Sequence, residues 1–301
     1  MSEISGGSGV LLTIGGSDSG GGAGIQADIK TFSVLGWHGT CAITAVTAQN
    51  TLGVQRIFGL KPEAVEAQLE SITSDFHVAH AKTGMLLSAE IVIVAAEHLQ
   101  RKGIPFVLDP VIEAEAGGRL LRPDAVRALK EDLIPLAKVV TPNIFEARAL
   151  TGISVCDAAS AELAARKILD LGAGAVVVKG GHLDCIDVLV DEAGLCRLIG
   201  ERVTGGNHGV GCTYSASLTA FLGKGRSLRD SAFRAKAFAS AAILHSLPVG
   251  HGPGAVNQAA VLREKARRFR DMCPSRKNEA AISNTETSLD LFLEEDLGPG
   301  G

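Results

Sequence analysis

The sequence predicts an α/β protein with a mostly parallel central sheet and helices on both faces. Short apolar runs alternate along the chain with segments whose apolar residues recur at helical spacing. The predicted strands end in turn-forming pairs, namely Gly15-Gly16, Asp109-Pro110, Pro142-Asn143 and Gly180-Gly181. This alternation is typical of parallel sheets, in which ligands bind beyond the carboxyl ends of the strands. We therefore expect the functional site among these turns.

Each element is predicted from its own pattern. An apolar run that ends in two glycines predicts a strand over 10–14, and helical spacing of apolar residues predicts a helix over 26–35. Further helices are predicted over 91–99, 125–136 and 161–171. Further strands are predicted over 106–108, 138–141 and 175–178.

Composition indicates a globular protein and excludes several functional classes. The chain has 301 residues, of which 46% are hydrophobic, and its net charge is −4. With that charge and only 4% aromatic residues, nucleic acid is not expected as a partner. No apolar stretch approaches the roughly 18–20 residues that span a bilayer, and no secretory signal is recognisable. The 6 cysteines are scattered without a Cys-x-x-Cys pair, so we expect a reduced, cytoplasmic protein.

The charge pattern predicts three regions. Residues 1–9 are expected to be a flexible N-terminus, and residues 10–262 a single folded domain. Beyond them the chain is strongly basic up to residue 277 and strongly acidic from 278 to its end. Residues 263–301 are therefore expected to form a charged, largely disordered tail.

A glycine-rich segment, residues 15–24, connects the first predicted strand and helix. Residues 22–27 fit the dinucleotide fingerprint Gly-x-Gly-x-x-Ala, which also requires an acidic residue about 20 positions later for the ribose. Residues 29–62 contain no Asp or Glu, so a Rossmann site is excluded, and no Walker motif is present. The segment could wrap its backbone around a small ligand, with Asp28 one turn into the helix. A purely structural tight turn is the alternative.

A second glycine cluster, residues 207–213, precedes a helix of small residues. Gly209 and Gly211 at a helix start would expose N–H groups, and the helix dipole would add positive charge. This combination predicts an anion pocket suited to a transferred phosphoryl group. Cys212 would lie in the first turn, where the pKa of a thiol is expected to fall. The alternative is a glycine-rich cap beneath a close-packed helix.

Three polar residues follow other predicted strands. Asn143 and Glu146, at i and i+3 of a helix start, could hold a magnesium ion or its waters, or could simply be a capping pair. Lys179 follows a buried strand at a place where a phosphate could bind. The remaining histidines show no ligand spacing and are interpreted as structural or surface groups, namely His38, His77, His80, His98, His245 and His251.

Eight segments in a fixed order carry a family resemblance. They are residues 12–19, 21–28, 43–51, 82–86, 109–111, 141–143, 179–182 and 209–213. Together they resemble the hydroxymethylpyrimidine/phosphomethylpyrimidine kinases of thiamine biosynthesis, in the ribokinase-like superfamily. The resemblance covers about residues 10–260. It implies a three-layer α/β/α sandwich that uses ATP and Mg²⁺, usually as a homodimer. The implied reaction is phosphorylation of 4-amino-5-hydroxymethyl-2-methylpyrimidine and then of its monophosphate.

The resemblance also implies a role for each site residue. The amide of Gln49 would hydrogen-bond the pyrimidine. The other residues expected to line the pyrimidine pocket are Gly16, Asp28 and Met85. The anion hole would consist of Gly209, Val210 and Gly211, with Cys212 in place of the aspartate base of sugar kinases. Lys179, Asn143 and Glu146 would bind the nucleotide, and Asp109 and Glu146 (through water) would serve the metal.

One stretch departs from the family pattern. After Asp109-Pro110-Val111 the family continues Met-x-x-Lys-Ser-Gly, whereas this chain has carboxylates at Glu113 and Glu115. Two negative charges would oppose phosphoryl transfer unless the loop points away or Arg119 substitutes for the lysine. Val210 also replaces a hydroxyl donor, although its N–H is retained.

Two other functions remain open. The first is a related pyridoxal or sugar kinase; the family roles of Gln49 and Cys212 argue against a sugar. The second is a pyrimidine-binding protein that has lost phosphoryl transfer, which the two carboxylates would suit.

Overall fold

A nine-stranded sheet forms the centre of the molecule. The structure is a computed structural model that describes residues 9–113, 120–181, 183–260 and 262. The described residues up to Ala259 form one compact unit, and the account below concerns that unit. The strand order in the sheet is β3-β2-β1-β4-β5-β6-β7-β8-β9. The strands are β1 (Val10–Asp18), β2 (His38–Asn50), β3 (Gly53–Gly59), β4 (Val78–Thr83), β5 (Phe106–Leu108), β6 (Val139–Val140), β7 (Val176–Val178), β8 (Ile186–Asp191) and β9 (Gly194–Ile199).

The six central strands, from β2 to β7, are parallel to their neighbours. Only β3 at one edge, and β8 and β9 at the other, pair antiparallel. The α-helices of the described residues are α1 (Gly24–Val34), α2 (Pro62–Asp75), α3 (Ala89–Lys102), α4 (Pro123–Ala128), α5 (Ile144–Thr151), α6 (Ala158–Leu169), α7 (Val210–Gly223) and α8 (Leu228–Leu244).

Helices cover both faces of the sheet because alternate strand residues enter two different cores. Leu12 and Leu108 belong to the core beneath α2–α6. Their neighbours Leu11 and Val107 belong to the cores beneath α1, α7 and α8. Successive strand side chains point to opposite faces, so the short central strands β5, β6 and β7 are apolar throughout. The predicted three-layer α/β/α architecture with a mostly parallel sheet is confirmed.

Two local predictions were wrong for identifiable reasons. The first strand does not end at Gly15-Gly16 but continues to Asp18, with a register shift against β2 at those glycines. The helix predicted over 125–136 is α4, followed by a π-helical turn at Leu129–Leu133 and a 3₁₀ turn at Ile134–Leu136. Pro135 has no N–H to donate, so a regular helix cannot continue through it. None of the helices in the described residues is long and apolar enough to span a bilayer.

His80 on β4 predicts acid sensitivity of the fold. Neither ring nitrogen has a partner among the described residues. Burial, together with the charge of Lys138, lowers the pKa of His80 to about 4. The unfolded chain, with a histidine pKa of roughly 6.5, therefore binds the proton more tightly than the folded protein. The contribution of His80 is fully present above pH 6.5 and is lost as the pH falls towards 4.

We expect His80→Leu to unfold in urea with a free energy that depends less on pH between 7 and 4.5 than that of the parent. The matched control is His77→Gln, since His77 is exposed and directly precedes β4. Parallel profiles for the parent and His80→Leu would contradict the assignment to His80.

Candidate active site

The carboxyl ends of the parallel strands meet the amino end of α7 at one place. Asp109 follows β5, Asn143 follows β6 and Lys179 follows β7. Ser215 in α7 donates a hydrogen bond from Oγ to Asp109 Oδ2 at 3.1 Å, which joins the helix to the strand ends. The predicted location of the site, beyond the strand ends, is therefore where the structure gathers its polar groups.

Asp18, at the end of β1, shapes the glycine-rich loop. Its Oδ1 accepts a hydrogen bond from the N–H of Gly20 at 2.8 Å. Its Oδ2 accepts from the N–H of Gly22 at 3.0 Å and of Ala23 at 2.8 Å. His208 Nε2 lies 2.8 Å from the same oxygen. Burial opposes ionisation of Asp18, but the bonds from His208 and the backbone outweigh it and lower its pKa.

The two glycine clusters lie in direct contact. Gly209 has φ of 89°, in the left-handed region, and a Cβ there would lie 1.8 Å from Gly22 O. A Cβ on Gly22 would in turn lie 2.1 Å from Cδ2 of His208. Glycine is therefore required on both sides of this contact. Sequence reasoning found both clusters but missed Asp18 and His208, the side chains that join them.

The amino end of α7 presents two backbone donors. Thr213 N–H donates to Gly209 O at 2.9 Å, and Val210 N–H donates to Asn207 O at 3.0 Å. The N–H groups of Gly211 and Cys212 precede the first helical bond, so the helix has no acceptor for them. In this arrangement the N–H groups of Gly211 and Cys212 are the ones available to an anion. Binding of an anion by the Val210 N–H stays a prediction.

Cys212 corrects one expectation. Its pKa does not fall but rises to about 12, because burial of the thiol and the charges of Asp28 and Asp109 disfavour a thiolate. Lys82 and a hydrogen bond from the Gly24 N–H oppose this rise without cancelling it. A helix dipole is too weak to offset burial beside two carboxylates. The thiol therefore keeps its proton at neutral pH.

Asp28 and Lys82, whose charges act on the Cys212 thiol, form a buried ion pair. Each side chain is 1% exposed, and Lys82 Nζ lies 2.9 Å from Asp28 Oδ2 and 3.1 Å from Oδ1. Thr13 Oγ1 also donates to Oδ2 at 2.6 Å. Asp28 was expected on the wall of a pyrimidine pocket, but its oxygens are engaged within the protein. Burial opposes the charge of Lys82, yet Asp28 outweighs it and raises the Lys82 pKa.

Lys82 is a site residue that the sequence interpretation passed over. It opens the segment 82–86 that contributes to the family resemblance, but no role was given to its side chain. Gly84 leaves space for its ammonium group, since a Cβ there would lie 2.9 Å from Lys82 Nζ.

Lys179 lies beside the anion donors, as the sequence predicted. Its Nζ is 2.7 Å from Asp109 Oδ1, and a Cβ on Gly211 would lie 3.4 Å from the same Nζ. Burial opposes its charge, but Asp109 and Glu146 outweigh it and raise the Lys179 pKa. An ammonium group held next to free backbone N–H groups favours an anion at this point.

Asn143 and Glu146 form a capping box, which is the alternative that the spacing left open. Asn143 Oδ1 accepts from the N–H of Glu146 at 2.9 Å, and Glu146 Oε2 accepts from the N–H of Asn143 at 2.7 Å. Burial and nearby Asp109 raise the pKa of Glu146 to about 8, against the opposing charge of Lys179. The Glu146 carboxyl group therefore holds its proton more tightly than an exposed glutamate does.

No group of three or more metal-ligating side chains occurs among the described residues. Asp109 and Glu146 are close enough to influence one another's charge, with Lys179 near both. This pair fits Mg²⁺ held mainly by water and phosphate oxygens, which is the usual coordination of that ion in phosphoryl-transfer sites. It does not fit a cage made of protein ligands alone.

The residues expected at the pyrimidine lie together on the other side of the glycine loop. A Cβ on Gly16 would lie 3.0 Å from Sδ of Met85. Thr44, in the bulge of β2, donates from Oγ1 to Met85 O at 2.6 Å and holds that residue in place. Gln49 follows on β2, and its backbone contacts the glycine loop through Ser19 Oγ. Gly16 thus contacts Met85, and Gln49 contacts the glycine loop, while their role in binding a pyrimidine stays a prediction.

Some expectations fall outside the described residues. Glu115, Arg119, His182, the N-terminal residues 1–8 and the tail 263–301 are among them. Glu113 is described and exposed. The effect of the two carboxylates on a bound phosphate therefore stays a prediction.

Comparisons of the sequence with known proteins identify one family. A sequence model of the family described as phosphomethylpyrimidine kinase matches residues 18–257. The hydroxymethylpyrimidine/phosphomethylpyrimidine kinase of Haemophilus influenzae is 50% identical over 264 residues, which are 84% of this chain and 97% of that protein. The thiamine biosynthesis bifunctional protein ThiED of Geobacter sulfurreducens is 47% identical over 254 residues, 83% of this chain. This chain spans 52% of that longer relative.

Solved structures give the same fold. An ADP complex of Bacillus subtilis pyridoxal kinase superposes with a TM-score of 0.79 at 38% identity, covering 85% of this chain and 100% of that one. A phosphomethylpyrimidine kinase from Clostridium difficile superposes with a TM-score of 0.69 at 38% identity, covering 77% and 98%.

The glycine contact predicts a large cost for one methyl group. Gly209→Ala should lower the free energy of unfolding by clearly more than Gly225→Ala, measured by urea denaturation. Both positions have positive φ, which costs an alanine about 1–2 kcal/mol. Only Gly209 adds a clash with backbone, because a Cβ on Gly225 has no atom within 4 Å. Equal losses would show that the two loops separate easily.

The state of the Cys212 thiol predicts its reactivity. With a pKa of about 12, Cys212 should react with iodoacetamide at least tenfold more slowly at pH 8 than the exposed Cys156. Its rate should still be rising at pH 10. Peptide mapping by mass spectrometry measures both residues in one sample. A Cys212 rate that levels off below pH 9 would contradict the pKa.

Proposed function

The chain belongs to the phosphomethylpyrimidine kinase family, and from this we propose that it transfers phosphate from ATP to 4-amino-5-hydroxymethyl-2-methylpyrimidine and to its monophosphate, as in thiamine biosynthesis. One observation carries the proposal. Two backbone donors, Gly211 and Cys212, and the Lys179 ammonium converge beside a region bordered by Gln49, Gly16 and Met85. A phosphoryl group and a pyrimidine alcohol would meet there.

The phosphoryl group would be held by the amino end of α7. Phosphoryl transfer proceeds through a loose transition state with negative charge on the phosphoryl oxygens, so positioning and electrostatic stabilisation dominate catalysis. The N–H groups of Gly211 and Cys212, the helix dipole and Lys179 all supply positive charge at this point. The ADP complex of the similar pyridoxal kinase supports a nucleotide site in this fold.

The role of Cys212 depends on whether it must accept the proton of the substrate hydroxyl. Because its thiol is protonated at rest, Cys212 is not a ready thiolate base. A loose transition state needs little help from the nucleophile early in the reaction, so proton transfer can come late. We assign the Cys212 backbone N–H to the phosphoryl group, and its side chain to the vicinity of the attacking hydroxyl.

Mg²⁺ would be held through water by Asp109 and Glu146, and it would neutralise charge on the phosphates. The Asp109 carboxylate also keeps Lys179 in position, since the two are in contact at 2.7 Å.

Pyridoxal phosphorylation is the second candidate. The observation in its favour is the TM-score of 0.79 with a pyridoxal kinase, against 0.69 with the phosphomethylpyrimidine kinase. The family match over 18–257 and the 50% identity to the Haemophilus influenzae enzyme favour the pyrimidine. A sugar substrate is not proposed, because Gln49 and Cys212 match the residues of the pyrimidine kinases at these positions and not those of sugar kinases. Retention of Lys179 and of the α7 donors argues against a binding protein without transfer activity.

A homodimeric state in the cytoplasm is part of the proposal. Three large apolar side chains are exposed on the β2–β3 hairpin and the residues joining its strands, namely Val46, Leu52 and Phe58. A second copy of the chain would cover such a surface. The net charge of −4 gives no support to a nucleic-acid partner.

A coupled ADP-release assay tests the function with three acceptors: the pyrimidine alcohol, its monophosphate and pyridoxal. We expect both pyrimidines to be phosphorylated, with kcat/KM above that for pyridoxal. A preference for pyridoxal would establish the second candidate. Binding of the pyrimidine without ADP release from any acceptor would establish the binding protein.

Gln49→Ala should weaken binding of the pyrimidine alcohol about tenfold or more and leave ATP binding nearly unchanged. Without the Gln49 amide a polar edge of the ring is left unpaired, which costs about 1–3 kcal/mol. ATP binding should be unaffected because Gln49 lies on the side of the loop proposed to hold the pyrimidine. Isothermal titration calorimetry with each ligand measures both effects. Equal losses for the two ligands would contradict the assignment.

A further inference from the structure

Thr47 lies two residues before Gln49 on β2, so the two side chains lie on the same face of the strand. Its side chain is buried, with 4% exposure. Thr47 Oγ1 lies 3.0 Å from Ser17 O and 3.1 Å from Oε1 of the Gln49 amide. The pair therefore connects the amide expected at the pyrimidine to the backbone of β1.

The single proton of the Thr47 hydroxyl determines how this chain of contacts is satisfied. The Ser17 carbonyl can only accept, so the hydroxyl proton goes to it. Thr47 Oγ1 then faces Gln49 as an acceptor, and the end of the amide that satisfies it is the NH₂ group. The two ends of an amide are distinguished only by such partners. As placed, Oε1 of Gln49 faces Thr47 and competes with Ser17 O for the one hydroxyl proton. Both bonds form fully when the amide is turned by 180°, so that Nε2 rather than Oε1 faces Thr47.

The Gln49 backbone is held as firmly as its side chain. Ser19 Oγ donates to Gln49 O at 2.8 Å and accepts from Gln49 N–H at 2.9 Å. A Cβ on Gly20 would lie 3.3 Å from Gln49 O, so the loop packs closely against this residue. With the backbone anchored, the remaining freedom of Gln49 is rotation of its side chain, and Thr47 restricts it.

We propose that Thr47 is a specificity-determining residue that sets the order of donor and acceptor on the Gln49 amide. One N–H of Gln49 is bonded to Thr47, while the other N–H and Oε1 face the ring. That pair matches a ring edge with an amino donor next to a ring-nitrogen acceptor, as in the 4-aminopyrimidine. The inference rests on the proposed function and adds the basis of its choice of substrate.

An edge of reversed order separates the two amide orientations. The 4-oxo analogue of the pyrimidine alcohol presents a carbonyl acceptor next to a ring N–H donor. To pair with it, Gln49 must turn its amide by 180°, which places Oε1 against Thr47 and leaves two acceptors competing for one proton. A buried acceptor without a partner is unfavourable. Thr47 thus discriminates against the oxo ring without touching it.

The test compares kcat/KM for the amino and oxo alcohols in the parent, Thr47→Val and Thr47→Ser. We expect the parent to prefer the amino ring at least tenfold. Thr47→Val should lower that preference at least fivefold, mainly through KM, because the amide becomes free to turn. Thr47→Ser retains the hydroxyl and should restore the preference.

Thr40→Val is the matched control. Thr40 Oγ1 donates to Leu11 O at 2.9 Å, the same kind of bond between β2 and β1, at the far end of the strand from Gln49. It should lower the melting temperature to a similar extent and leave the amino/oxo preference unchanged. Thr47→Ala replaces Thr47→Val if the valine variant does not fold.

Two outcomes would overturn the proposal. One is an amino/oxo preference that is the same in Thr47→Val and the parent, and the other is an equal change in Thr40→Val. Calorimetric binding of both alcohols gives the same comparison without turnover, so a parent that lacks kinase activity refutes the proposed function and still tests Thr47. A parent that binds neither alcohol would overturn both.

Discussion

The site depends on one close contact between two stretches of backbone, at Gly22 and Gly209. The contact is possible because neither residue has a side chain, and Asp18 holds it from one side through His208. It brings the loop after β1, which borders the pyrimidine residues, against the residue that begins α7. The acceptor side and the donor side of the proposed reaction lie far apart in sequence, and this contact is what makes them one site.

The charges of the site are nearly balanced before any ligand binds. Lys82 is paired with Asp28 and Lys179 with Asp109, while the Cys212 thiol is protonated at pH 7. The attraction for an anion therefore comes chiefly from backbone N–H groups and the α7 dipole, whose charge needs no counterion. Such donors remain oriented when the ligand is absent, which is the condition for electrostatic preorganisation.

Features that depend on neighbouring residues in the sequence could be predicted from it. The strand Phe106–Leu108 has the bounds that its apolar run predicted, and the spacing of Asn143 and Glu146 correctly offered a capping pair. The two glycines Gly209 and Gly211 indicated the start of α7, which begins at Val210, and the anion pocket there stays a prediction.

Long-range contacts decide what the sequence could not show. Asp28 can be buried because its charge is compensated by Lys82, which is 54 residues away in the sequence. The high pKa of Cys212 follows from carboxylates on other elements, and the continuation of β1 through Gly15-Gly16 follows from its pairing with β2. Helical or strand periodicity carries no information about such partners.

The buried pair of Asp28 and Lys82 also limits the evolutionary routes open to the site. Removing one member of a fully buried ion pair typically costs about 3–5 kcal/mol, because the other charge is left unpaired in the interior. Domains as a rule have only about 5–15 kcal/mol of stability in total. A lineage can therefore change these two positions together, or after a compensating gain in stability elsewhere, but rarely one at a time. Related sequences should show the two residues retained or replaced as a pair, even though 54 positions separate them.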